Sequence, residues 1–427
     1  MKHITSKLLS LLLCLAMLMS MVPAAYAAGT EGTDVTEANG GASEQAAATT
    51  DAAKVGETGY TTLAEAIAAA KDGDTVKLLA DVIQNTMLTI DKNITLDLNG
   101  KNIYNTENIW SDTKQTYELI SVEAKVTITG NGSIEAKEND CYTINVKNGN
   151  LTIENGTFVG NVSVVQVENG TLTISGGEFK LLQKWEGSSK YLINCIDENY
   201  ENKSAVVDIR GGKFVDFDPN VAPEKKVDGK APSFVISAGI GVTKDAAGSF
   251  TAMPNMAAQI VDTDGNSVAA YATLQEAFAN VKTGDTVTLL ADTKEDVTIN
   301  KNITLDLGGK TLTNTNAGKA TLSVSGTATV KNGTIEGGTS YYNIAVGTKE
   351  APGGNLTLEN VEATAGNYDA AMIDNWGTLT IKSGTYTGGL DVVKSEPGAN
   401  LVIDNGKFTL DHSLLGLSRG HHERQRW

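Results

Sequence analysis

The chain has 427 residues, of which 41% are hydrophobic and 20% charged, a formal net charge of −17 and three cysteines. So acidic a surface repels phosphate backbones and anionic lipid, which argues against nucleic-acid binding. Three cysteines do not make a disulfide framework, so the fold must rest on backbone pairing and burial.

Lys2 and Lys7 precede an apolar run from Leu8 to Val22 and then Ala25-Tyr26-Ala27. This order of a basic region, an apolar core and an A-x-A site predicts a signal peptide over 1–27, cleaved near Ala27. The expected location is secreted, extracellular or cell-wall associated. The run is interrupted by Ser10 and Ser20 and falls short of the roughly 20 apolar residues that a membrane span needs. Leu13 is too large for the position before a lipidated Cys14, and no later segment reads as transmembrane. Residues 28–55, built from Ala, Thr, Glu and Gly, are expected to form a disordered linker.

Next comes an amphipathic stretch, "TTLAEAIAAAK" (61–71), with Thr61 or Thr62 as N-cap and Leu63, Ala66, Ile67 and Ala70 on one face. Asp72-Gly73 is expected to end this helix, and "GDTVKLLAD" (73–81) to begin a strand. The phrase returns as "GDTVTLLAD" (284–292), after "ATLQEAFANVK" (272–282) and Thr283-Gly284. "KNITLDLNGK" (92–101) likewise returns as "KNITLDLGGK" (301–310). The duplication predicts two units, 56–250 and 251–410.

Within each unit, short alternating strands recur before Asn-Gly or Gly-Gly: "VTITGNGSI" (126–134), "LTIENGTF" (151–158), "LTISGGEF" (172–179) and "VDIRGGKF" (207–214). The second unit has "ATVKNGTI" (328–335), "LTLENVEA" (356–363), "LTIKSGTY" (379–386) and "LVIDNGKF" (401–408). Their second apolar residues are Ile128, Ile153, Ile174 and Ile209, then Val330, Leu358, Ile381 and Ile403. The steps of 25, 21 and 35, then 28, 23 and 22, suit stacked coils rather than hairpins. Rungs about 4.8 Å apart then align Ile with Ile, Phe158 with Phe179 and Phe214, Tyr386 with Phe408, and Asn148 with Asn169. Cys141 and Cys195 fall about two coils apart, roughly 10 Å, which predicts two buried, unpaired thiols. A stack exposes strand edges at its end, so each amphipathic stretch is expected to act as a capping lid.

"ITLDLNGK", "GTLTISGGEF" and "GTLTIKSGTY" carry a family resemblance over about 56–410. The chain resembles the right-handed parallel β-helix class, the pectin-lyase-like superfamily, in the form seen in secreted or surface proteins of gut Firmicutes. The expected fold class is therefore all-β, as two tandem right-handed parallel β-helix solenoid units, each with a short N-terminal capping α-helix. The tail 411–427 departs from this texture, holding three of the four arginines and three of the four histidines, and reads as a frameshift or truncation.

The resemblance implies that an enzyme of this fold would work from groove carboxylates with an Arg or Lys, sometimes with calcium. Before the tail the chain offers one arginine, Arg210, at a bend whose equivalents are Glu154, Ser175, Lys331 and Lys382. That pattern reads as a solvated turn. No histidine lies between His3 and His412, which excludes a Ser-His-Asp triad from the body. Asp72-Gly73-Asp74 and "DTDGN" (262–266) are the only hints of Ca2+, and both fit ordinary turn chemistry. No catalytic residue, metal site or required cofactor is assigned.

Aromatic residues in the insertions are the candidate ligand-binding residues: Trp110, Tyr117, Trp185, Tyr191 and Trp376, with Tyr341, Tyr342 and Tyr368 beside them. They can stack on sugar faces or form a protein hot spot, or fold back as local cover. Trp376 stands at a bend where sister coils carry Asn and is expected to project. The expected function is a structural or adhesive scaffold binding a glycan or host protein, as a monomer. The alternatives are a polysaccharide lyase or glycoside hydrolase, and an inert spacer.

Overall fold

The computed structural model describes residues 50–183, 191–221, 233–338, 341–366 and 370–410. The signal segment, the linker up to residue 49, Trp185, Tyr368 and the tail 411–427 lie outside the described residues. The protein is mostly β, a β-solenoid of about 13 turns with little helix.

Each turn contributes short strands to successive faces. In the first half, the first face stacks Thr75–Leu78, Ile94–Asp97, Lys125–Thr129, Gly149–Ile153, Gly170–Ile174 and Ala205–Ile209 in parallel. A second face runs from Val82–Ile83 to Gly212–Phe214, and a third from Leu88–Ile90 to Ile193–Cys195. In the second half, Thr327–Glu336 and Asn355–Thr364 continue through the corner, so the first two faces form one sheet.

Period-two alternation sends one row of side chains inward on each face. Val76, Leu96, Ile128, Ile153, Ile174 and Ile209 are paired rung by rung and wholly buried. Val287, Leu305, Val330, Leu358, Ile381 and Ile403 repeat this register. Phe158, Phe179 and Phe214 stack with centroids 5.0 and 5.1 Å apart, and Tyr386 stacks on Phe408 at 5.2 Å. Asn169 Nδ2 donates to Asn148 Oδ1 at 3.1 Å, the expected polar rung. Outward on the first face, Thr75, Thr95, Thr127, Thr152 and Thr173 form a continuous row, matched by Thr286, Thr304, Thr329, Thr357 and Thr380.

Buried apolar side chains gather into two clusters, one spanning Ala53 to Ala252 and the other Ala258 to Tyr386. Cys141 and Cys195 are free and buried. Burial raises the Cys141 thiol far above its usual range, reinforced by the neighbouring Asp140 charge. It pushes Cys195 up to about 12, with Asp197 adding to the shift.

Antiparallel hairpins flank the parallel stacks. Ala53–Val55, the last three residues of the stretch read as linker, pair with Thr58–Tyr60 and with Thr75–Leu78. Ala53 is wholly buried, which gives this segment a core contact. Ala258–Val261 pairs in the same way with Ser267–Tyr271 and Thr286–Leu289. Between the halves, Gly241–Lys244 and Phe250–Met253 extend the second face antiparallel.

The helix Leu63–Ala69 begins at Thr62, whose hydroxyl accepts from Glu65 N while the Glu65 carboxylate accepts from Thr62 N, a complete capping box. Leu63, Ala66, Ile67 and Ala70 are buried in the first cluster. The helix Leu274–Asn280 begins at Thr273, and Glu295 also accepts from Leu274 N and Gln275 N. Both helices end before the glycines expected to stop them: Ala70 and Val281 are already extended, while Gly73 and Gly284 take φ +92° and +93° in the next turn. The physical reason lies one coil away. Lys301 Nζ donates to the carbonyls of Phe278, Ala279 and Val281 at 3.0, 2.9 and 2.8 Å. Lys92 Nζ bonds Ala68 O and Ala70 O in the same way. A lysine that satisfies the last carbonyls makes a glycine cap unnecessary. Among the described residues, no helix is long and apolar enough to cross a membrane.

Candidate functional site

Long insertions concentrate at the corner between the second and third faces, where the chain passes from Tyr104 to Glu118, from Leu181 to Ile193, from Glu336 to Ile344 and from Thr364 to Ile373. The links between first and second faces are short throughout the first half. Trp110, Tyr117, Tyr191, Tyr341 and Tyr342 all lie in or beside this corner, and Trp376 follows the third-face strand Ile373–Asn375.

In the first half, the structure brings Trp110 and Tyr117 together with centroids 4.9 Å apart and adds Tyr142 at 5.7 Å, both edge-on. Tyr142 was not singled out from sequence, because its partners arrive from an insertion some thirty residues away. Asp140 anchors that insertion: its carboxylate accepts from Ile109 N and Trp110 N, both at 2.9 Å, and from Asn105 Nδ2 at 2.7 Å. Trp110 thus stays 43% exposed on a fixed backbone. Tyr191 lies two residues before Ile193–Cys195 and is partly buried.

Next to these rings lies a charged network. Lys147 Nζ is 2.7 Å from Glu118, which is wholly buried. Asn145 Nδ2 donates to Glu168 at 2.7 Å and to Glu118 at 3.4 Å, so the two carboxylates come within about 6 Å of each other. Burial and then the charges of Glu168 and Glu118 push the Tyr142 hydroxyl up. For Lys147 burial is the largest influence and opposes protonation, but the bond to Glu118 and the charges of Glu118, Glu168 and Glu123 together raise it. Although the separation resembles that of a glycosidase pair, Glu118 has no surface and already holds Lys147. It orders the third face.

In the second half, Tyr341 and Tyr342 pack edge-on at 4.8 Å. Trp376 does not simply project: it is partly buried and donates Nε1–H to Asp374 Oδ2 at 2.9 Å. Asp374 is 5% exposed, and its other oxygen, Oδ1, has no hydrogen-bond partner. Burial raises the Asp374 carboxyl, the Trp376 bond opposes the shift, and Glu396 adds to it. Lys394, ion-paired with Glu396, occupies the next rung in register with Asp374. Sequence reading missed Asp374. Its signal was an acidic residue at a position that most other rungs of the face fill with a neutral side chain.

Arg210 donates Nε–H to Asp208 Oδ2 at 2.6 Å, and Ser237 Oγ donates to the same oxygen at 2.8 Å. The arginine is half exposed and fastens a turn. Asp72 accepts from Asn93 N and Nδ2, and Asp262 accepts from the amides of Asp264 and Asn266. Among the described residues, no group of three or more His, Cys, Asp or Glu is placed to hold a metal.

No protein-family model, curated protein or solved structure matches the chain. The solenoid geometry and its decorated corner therefore carry the functional argument.

Proposed function

We propose that the chain is an exported display scaffold whose decorated corner binds a glycan. In this reading it is a right-handed parallel β-helix of pectin-lyase-like type, with two tandem units, each begun by a capping helix. The separate apolar clusters and the buried faces of Leu63–Ala69 and Leu274–Asn280 support that division. The basic-apolar-AxA leader supports export and a cell-surface or extracellular location.

One observation carries the functional reading: the two longest insertions between parallel strands and most of the candidate aromatic side chains gather at one corner, between the second and third faces, while the links between the first and second faces stay short in the first half. Rigid repeats that vary at one edge place recognition on that edge. Trp110, held by the Asp140 anchor and packed on Tyr117 and Tyr142, offers a fixed aromatic surface to a sugar face. The test is retention on immobilised polysaccharides. Trp110→Ala and Tyr117→Ala are expected to weaken retention by about tenfold while the variants stay folded, with only a small fall in melting temperature from the lost ring contacts. Capture of a host protein but no glycan would redirect the reading to protein adhesion, and product formation would redirect it to catalysis.

A further inference from the structure

We infer that the third face of the second half holds a site for a neutral sugar, centred on Asp374 and Trp376; this rests on the glycan-binding reading above.

Asp374 departs from the rule that governs most rungs of this face. The central residues of its rungs are Thr89, Ser121, Asn145, Gln166 and Asn194 in the first half, and Thr298, Ser323, Ala345, Asp374 and Lys394 in the second. The first row is neutral, and Asn194 Nδ2 donates to Gln166 Oε1 at 2.9 Å. Among the described residues of both rows, Asp374 alone is a carboxylate. It is 5% exposed, has one oxygen without a partner and faces only a methyl group, that of Ala345, on the preceding rung. A buried carboxylate so arranged costs the fold stability, and such costs gather where a ligand completes the hydrogen bonds. Asp208 is equally buried with an unpartnered oxygen, but Arg210 neutralises it.

The surroundings choose the ligand. Trp376 flanks Asp374 on one side, and Tyr342, paired edge-on with Tyr341, lies toward the other end of the strand. Aromatic faces beside a hydrogen-bond acceptor suit a pyranose ring that stacks and donates a hydroxyl. Asp374, Glu396 and Lys394 leave one net negative charge, which disfavours a uronic or sialic acid. Lys394, already tied to Glu396, disfavours an ammonium ligand. A neutral hexose or N-acetylhexosamine meets both conditions. Its hydroxyl donates to Asp374 Oδ1, reached when the Trp376 indole swings aside from the bond to Oδ2 and turns its face to the ring.

The experiment titrates the full chain with methyl glycosides of glucose, galactose, mannose and N-acetylglucosamine, and with glucuronate and galacturonate, following tryptophan fluorescence and calorimetry. At least one neutral glycoside is expected to bind at least tenfold more tightly than either uronate. Asp374→Asn, which keeps an acceptor for Trp376, is expected to weaken that binding at least tenfold, and Trp376→Phe to remove the fluorescence change. Unchanged affinity in a folded Asp374→Asn, or preference for a uronate, overturns the site. If binding is lost in Trp110→Ala but not in Asp374→Asn, the glycan reading stands and this site fails. If none of these probes and no arrayed glycan binds the wild-type chain, both fail.

Discussion

Lys301 Nζ lies 2.8 Å from the carbonyl oxygen of Val281 and also bonds the carbonyls of Phe278 and Ala279. Lys92 holds the end of the earlier helix through Ala68 and Ala70. The relationship explains why the duplicated unit is long: helix, turn, strand and the Lys of "KNITLD" form one interlocked piece. Lys301→Ala is expected to lower stability by about 1–2 kcal/mol, with Lys301→Arg recovering part of it. Urea unfolding of the three proteins checks this.

The aromatic stack gives a graded outcome. Phe179 has a ring on both sides and is wholly buried, whereas Phe408 stacks on one ring and is 38% exposed. Phe179→Ala is expected to cost about 3–5 kcal/mol and Phe408→Ala distinctly less. Equal losses in denaturant unfolding would show that the rungs are not packed as described.

Two glycines separate backbone conformation from rung contact. Both have positive φ, +111° at Gly170 and +75° at Gly100. An added Cβ at Gly170 would sit 1.9 Å from Gly149 O on the neighbouring coil, while at Gly100 nothing lies within 4 Å. Gly100→Ala is expected to cost about 1–2 kcal/mol, and Gly170→Ala to cost more because the coils must part. Thermal melting of the two variants orders them.

These ladders were legible in the sequence because every rung repeats one local rule: Ile153 and Ile174 each follow Leu-Thr and precede a bend, so matching them in sequence matches them in space. The flanking hairpins were not legible. Ala53–Val55 and Gly241–Lys244 are short, belong to no coil step and pair antiparallel with the segments that follow them, Thr58–Tyr60 and Phe250–Met253, so the parallel-rung pattern does not announce them. The corner was legible as aromatic residues in insertions, but not as contacts: Asp140 reaches back to Trp110, and Asp374 holds the indole that the sequence suggested would project. Interactions set by an insertion's path leave no periodic trace.

The buried thiols set an alkaline limit. The folded state keeps Cys141 and Cys195 protonated where the unfolded chain, near the ordinary value of 9.0, has ionised. The folded state then binds more protons, so this contribution is complete below about pH 9 and is lost as pH rises further. Neither thiol is expected to react with a thiol reagent in the native protein, and both should react after unfolding. The alkaline fall in melting temperature should shrink in Cys141→Ser/Cys195→Ala.

Asp374 works in the acid range with the same sign. Its folded carboxyl lies above the ordinary 3.8, so the unfolded chain ionises first and stability falls as pH rises above that value. Asp374→Asn is expected to melt higher than the wild type near pH 7, with the gap narrowing toward pH 3. A variant that melts lower at both values would show that the carboxylate stabilises the fold.

The central claim, that the decorated corner recognises a glycan, is tested most directly by a glycan-array screen of the purified chain, with reducing-end and unsaturated-product assays on each sugar that binds. Binding without turnover, weakened by Trp110→Ala, is the expected result; turnover, or binding indifferent to Trp110→Ala, would contradict it.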